Sequence, residues 1–484
     1  MKKRVSIVFI LCLFLGLFPA CRSEKTESGG PRLAADAQRE KAAASAAQEK
    51  KENPNALRVV TDLDCRTKLM GRSSNASQGT RTFQEILKHF GGTPSGIRVN
   101  LEMLPSEDSG AYDAELTHLR TEIMAGAGPD VFLMSGFGDG GDLAPANTLF
   151  QNPESAMKKG FFLPLDDYIE NARFMEFDKL DQAVMAVGRG EQGQVILPMF
   201  YRLNEIQINR EIDPDEFPSD WDGAAASGNE LVQWAGALWA GYGFRNACFG
   251  RVSENEELLI TEEELFQRAR EALELCKKYA PEMSRLREIE AREDYTVFLK
   301  EVAVNVCPWG SGYLEMEDNV NSSYVLKNPQ GEISAPIETW CAVNKNTQDP
   351  EDAFFIVDLL LSREFLQQED FWNKEPSYFL NPDQMTFFWM AGEGYIRVYS
   401  TLLTNSKNTY KFTNFLNDSQ RKLLSKTRNE ISYAYFTSNL DREIDRMFAE
   451  LADKLYAGED VGDEEIRKAA GQCYSTLKMM LAES

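Results

Sequence analysis

The sequence predicts an α/β protein built as more than one lobe, and three observations carry that expectation. First, "DAELTHLRTEIMAGAGPDVFLM" (113–134) runs helix, tight turn, strand. Leu116, Leu119, Ile123 and Met124 recur at helical spacing, and Asp113 is placed to cap the helix start. Gly126 and Gly128 end that helix and Pro129 forbids its continuation. The unbroken apolar "VFLM" then has the pattern of a strand buried on both faces. Second, "DPEDAFFIVDLLL" (349–361) reads as a helix. Asp349 caps it, Pro350 takes the first helical position, and Glu351 and Asp352 suit its positive end. Ala353, Val357, Leu360 and Leu361 form its apolar face. Third, roughly 430 residues follow a polar N-terminal segment in a chain that is 43% hydrophobic, enough for two or more lobes.

The chain opens "MKKR", then "VSIVFILCLFLGLF", an apolar run too short to span a bilayer comfortably. A basic start, a short apolar stretch and a small residue near its end describe a secretory signal peptide. The run ends in "LFPAC", which resembles a bacterial lipoprotein box: residues 1–20 are the signal and Cys21 is the lipidated mature N-terminus. Several acyl chains hold a protein firmly on a membrane, so the expectation is an anchor on the outer face without a transmembrane helix. Residues 21–55 are rich in Ala, Glu, Lys and Ser and nearly free of large apolar side chains. They read as a flexible tether.

Composition removes several function classes. A formal charge of −24 speaks against nucleic acid or anionic lipid as the partner. His89 and His118 are the only histidines, which argues against imidazole catalysis and His-rich metal sites. Cys65, Cys248, Cys276, Cys307, Cys341 and Cys473 are scattered, without the spacing of a disulfide framework or a zinc site. No cofactor or metal is expected. The sequence lacks G-x-S-x-G, H-E-x-x-H and Walker motifs, so only abundant carboxylates favour an enzyme.

"SGFGDGGD" (135–142) places Gly136, Gly138 and Gly141 in the G-x-G-x-x-G spacing of a pyrophosphate loop. Such a loop needs a helix directly after it to hold the phosphates. Pro145 stands where that helix would run, and Asp139 and Asp142 would repel the phosphate. The nucleotide reading is rejected, and a Ca²⁺ site in this loop gives way to a solvated turn.

The segment "AGAGPDV" resembles a recurring stretch of the extracellular solute-binding proteins of bacterial ABC transporters, family 1, the carbohydrate-type group. Further segments match that family in order: "GFFLPLDDYIE" (160–170), "GQVILPMFYRLNEIQINREI" (193–212), "SDWDG" (219–223), "FLKEVAVNVCPWGSGYL" (298–314) and "GEISAPIETWCAVNKNTQDPEDAFFIVDLLLSREFLQQ" (331–368). The aromatic-rich region 370–430 matches nothing in it. The resemblance implies a two-lobed periplasmic-binding-protein-like (type II) fold with a hinge and an interlobe ligand cleft. Its lobes are discontinuous: 56–200 and 307–368 in the first, 201–306 and 369–484 in the second. The chain crosses near Pro198–Asn204 and returns near Cys307–Tyr324.

A cleft that holds a sugar needs rings for the apolar C–H faces and charged or amide groups for the hydroxyls. The resemblance points to Trp309 as the stacking ring, to Tyr201 and Arg202 at the crossing, and to Asp62 and Asp64 at the end of the first strand. Phe137 belongs to the cleft-edge loop. Trp340, Trp239 and Tyr242 are divided between cleft and core, and Tyr435 and Phe436 are weaker candidates. The implied function is capture of a sugar or oligosaccharide by a monomer that delivers it to an ABC permease. Alternatives are a receptor for a polyamine, peptide or organic anion, and a lipid-anchored glycoside hydrolase.

Overall fold

A computed structural model describes residues 56–62, 87–88, 90–105, 110–136, 148–208, 210, 212–213, 217–254, 257–290, 304–308, 322–325, 327–362, 395–397, 426–427 and 429–483. The signal peptide, Cys21 and the tether lie outside the described residues.

Two hydrophobic cores organise the protein. The first surrounds a seven-stranded sheet. Its strands are β1 (Leu57–Thr61), β2 (Val99–Met103), β3 (Val131–Ser135), β4 (Ile196–Arg202), β8 (Ile333–Val343), β9 (Tyr395–Arg397) and β10 (Ile431–Tyr435). Their order is β9-β4-β8-β3-β1-β2, with β10 beside β8. β1 pairs in parallel with β2 and β3, while β8 runs antiparallel to β3 and β4. The second core surrounds a three-stranded sheet, β6-β5-β7, of β5 (Asn204–Ile208), β6 (Val304–Pro308) and β7 (Ser322–Tyr324).

Among the longer helices of the described residues are α1 (Tyr112–Met124), α2 (Glu230–Cys248), α3 (Glu262–Lys278), α4 (Pro350–Leu360), α5 (Asn439–Tyr456) and α6 (Asp463–Glu483). α1 starts one residue before Asp113, with Ala111 at the cap position and no side-chain cap bond. It buries Tyr112, Leu116, Leu119 and Ile123 and leaves Met124 74% exposed, so the expected stripe is one residue too wide at its end. Asp349 stands at the cap of α4 without a side-chain bond to it. The helix is buried nearly all round rather than on one face.

Among the described residues the chain passes between the cores three times. Leu203 belongs to the first and Ile206 to the second; Val304 lies in the second and Ile333 in the first; Phe436 lies in the first and Leu440 in the second. Two expected boundaries differ from this arrangement. Cys307 and Pro308 pair with Glu205 and Asn204 in the second sheet, so the return to the first core comes later. The segment 369–484 divides, because β10 pairs with β8 and its Ala434 and Phe436 enter the first core.

Buried polar groups lock the first lobe. The Pro129–Asp130 turn is held by Asn344, whose side-chain amide donates to the carbonyls of Ala127 (3.0 Å) and Pro129 (2.7 Å). The Thr347 hydroxyl donates to Asp130 at 2.6 Å. Asp358, on α4, accepts the backbone N–H groups of Arg173 (2.8 Å) and Met175 (2.6 Å) and also that of Phe174. Four free thiols, Cys248, Cys276, Cys341 and Cys473, are buried, and burial pushes the Cys473 thiol up to about 12.

Asp358→Ala strands three backbone donors near the core. Bonds to a charged acceptor contribute about 1.5–3 kcal/mol each, and their loss is not additive. The expected cost is about 3 kcal/mol, read as a lower urea midpoint at unchanged slope.

Candidate functional site

The first sheet defines its own binding position. From β1 the chain goes to β2 on one side, then returns to place β3 on the other, so the order reverses between β1 and β3. In open α/β sheets ligands bind beyond the carboxyl ends of the strands at such a reversal. Asp62 follows β1 and Ser135 ends β3 at this point. Asp62 Oδ1 accepts the Ser135 N–H at 2.7 Å. Asp62 Oδ2 is buried and has no hydrogen-bond partner among the described residues. Burial pushes this carboxyl up to about 6, and the bond from Ser135 opposes the shift.

The next residue explains the glycine cluster in part. Gly136 N–H donates to the Glu338 carbonyl at 2.6 Å, and a Cβ at Gly136 would stand 1.7 Å from the Ile337 carbonyl oxygen. Glycine is required here for close packing of two backbones. Thr339, opposite Ser135 on β8, has a buried hydroxyl without a hydrogen-bond partner among the described residues. Where the strand order reverses, a carboxylate oxygen and a hydroxyl are thus both buried and without a hydrogen-bond partner among the described residues. Among the described residues no cluster of three or more His, Cys, Asp or Glu could hold a metal ion.

The other predicted residues fall in several places. Asp64, Phe137 and Trp309 lie outside the described residues. The backbone leading to Trp309 is described: Pro308 pairs with Asn204, between the two cores. Arg202 closes β4, where its backbone pairs with Tyr395. Tyr201 is buried in the first core and its hydroxyl donates to Asp181 at 2.6 Å. Trp340 is 1% exposed and packs among Phe150, Phe162 and Phe436. Trp239 is buried in the second core, and Tyr242 is half-buried against it. The structure thus brings Asp62 to the strand-order reversal and places Tyr201, Trp340 and Trp239 in cores.

A groove of about 660 Å³, lined by residues of both lobes, opens where the two lobes meet. Glu154 and Arg189 come from the first lobe, Arg245 and Arg251 from the second, and Tyr433 and Tyr435 from β10. Arg245 Nε lies 2.9 Å from Asp441 Oδ1, both residues being buried. Ser135, Thr339, Arg245 and Tyr433 escaped the sequence reading. Arg245 alone left a signal, a lone charge in the apolar "AGYGFRNACF".

Two α/β cores, a chain that crosses between them, and a strand order that reverses in the first sheet define the two-lobed periplasmic-binding-protein-like fold. Solved structures agree. An extracellular solute-binding protein family 1 from Alicyclobacillus acidocaldarius subsp. acidocaldarius DSM 446 is similar at a TM-score of 0.52 and 13% identity, over 88% of this chain and 98% of that one. A de novo designed cysteine esterase, ECH19, is similar at a TM-score of 0.51 and 12% identity, over 88% and 98%. At these identities the likeness is one of fold, which many functions share. No family model matches the sequence, and no curated protein matches it.

The raised Asp62 fixes the sign of a pH effect. Its native value of about 6 lies above the usual 3.8, so the folded protein binds the proton more tightly between those values. This contribution to stability is present at low pH and is lost as pH rises through 6. Asp62→Asn removes that slope and raises stability at pH 7 by up to about 2 kcal/mol, measured by urea unfolding across pH 4–8.

Proposed function

We propose that this protein is the extracytoplasmic solute-binding component of an ABC importer. It captures a sugar or oligosaccharide between its lobes and presents it to a membrane permease. The observation that carries this reading is the unpartnered Asp62 oxygen at the strand-order reversal, in a fold whose lobes are joined by three crossings. A carboxylate accepts strong hydrogen bonds from ligand hydroxyls, and the apolar C–H faces of a sugar need rings beside it. Trp309 is the stacking ring in this reading, and Asp64, Phe137 and Arg202 complete the contacts. Tyr201, Trp340 and Trp239 support the lobes from within. Ligand binding draws the lobes together to the extent that the closed state binds better.

The N-terminus fits the same role. Residues 1–20 direct export, Cys21 carries the lipid, and 21–55 let the lobes reach the permease. No turnover is expected. The alternatives of a polyamine, peptide or organic anion are outcomes of the same screen.

A thermal-shift screen of mono- and oligosaccharides is expected to find ligands with micromolar Kd, about −8.2 kcal/mol. Trp309→Ala and Asp62→Ala lower the affinity at least about tenfold, as expected for 1.4 kcal/mol or more at each contact. A screen without any shift, or hydrolysis of the ligand, overturns the reading. In cells, Cys21→Ser moves the protein from the membrane fraction to the soluble one.

A further inference from the structure

Side chains alternate between the faces of a strand, and β10 uses both faces. Ala434 and Phe436 enter the first core, whereas Tyr433 and Tyr435 offer their rings to arginines of the second lobe. The Arg245 guanidinium lies 4.4 Å from the Tyr435 ring centroid, and that of Arg251 lies 4.2 Å from the Tyr433 centroid. These cation–π stacks join parts of the chain nearly two hundred residues apart, across the lobe boundary.

The two stacks differ in how they can respond to motion. Arg245 is 1% exposed and pairs with buried Asp441, and its guanidinium also donates to the Gly250 carbonyl. Pulling it away would strand buried charge, so this contact persists. Arg251 is 48% exposed, and its ion pair, with Glu254 at 3.6 Å, lies within its own lobe. It also lines the groove, where Glu154 of the first lobe is near enough to feel its charge. A guanidinium released from Tyr433 has water and carboxylates to receive it, so this stack opens at little cost.

We propose that Arg245–Tyr435 is the fixed pivot of the hinge and that Arg251–Tyr433 is a breakable latch that sets the resting angle of the lobes. The inference takes from the proposed function only that the lobes move against each other. Two further contacts near the pivot limit that motion to a rotation: the Ser334 hydroxyl bonds Asn246 at 3.1 Å, and the Asn328 amide donates to the Tyr433 hydroxyl at 3.4 Å.

The test measures interlobe distances in the ligand-free full chain. Spin labels are attached through noncanonical residues at exposed Thr117 and Glu271, one on each lobe, and read by pulsed dipolar spectroscopy. An exposed cation–π contact corresponds to a two- to fivefold change in the ratio of hinge states, and Arg251→Ala is expected to produce a shift of about that size. Tyr433→Phe keeps the ring but loses the Asn328 bond, and is expected to shift the distribution by less than Arg251→Ala. An unchanged distribution in Arg251→Ala overturns the latch, as does a Tyr433→Phe variant that moves as far. Because no ligand is present, a failed carbohydrate screen leaves this result standing, and a silent latch leaves the screen standing.

Discussion

The hydrogen-bond ladder along β8 is the constraint on which the rest of the protein depends. Its eleven residues pair with β3 and β4 along one half and with β10 along the other. Strands from three distant parts of the sequence therefore meet on a single backbone. One half of β8 is buried under the first core, and the other reaches toward the crossings, where Ser334 meets Asn246 of the second lobe. The strand-order reversal inherits its geometry from this strand. Ser135 is held opposite Thr339, and Gly136 lies against the Ile337–Glu338 backbone so closely that no side chain fits. Asp62 then needs only the Ser135 amide to be placed.

Much of this was legible from the residues themselves. The turn at Pro129 and the helix before it followed from local chemistry, because glycine termination and apolar spacing act over a few residues, although neither Asp113 nor Asp349 caps its helix through a side-chain bond. Asp62 was legible as a strand-end carboxylate. The role of Gly136 is visible only in three dimensions, since it serves a backbone contact with β8. Aromatic candidates were harder. A tryptophan on a strand reads the same whether it faces a ligand or a core, and Trp340 found its partners in Phe150, Phe162 and Phe436, none of them adjacent in sequence.

The role of β10 was not legible at all. "ISYAYF" alternates as a strand should, but sequence gives no hint that one face completes the first lobe while the other meets Arg245 and Arg251. Ion pairs and stacks between residues two hundred positions apart leave little local trace. The lone arginine of α2 was the exception, because a charge within an apolar helix needs a buried counter-ion, and Asp441 supplies it.

The triple crossing has a consequence for how the molecule is made. The first core gathers residues from Leu57 to Leu203, from Ile333 to Leu361, and last from Ile431 to Phe436. Position 436 is about nine-tenths of the way along a chain of 484 residues, so the ribosome releases nearly everything before that lobe can be sealed. Neither half can mature as an independent domain during synthesis, and long-range strand pairing is slow. The nascent polypeptide consequently stays unfinished until almost its final residue has emerged.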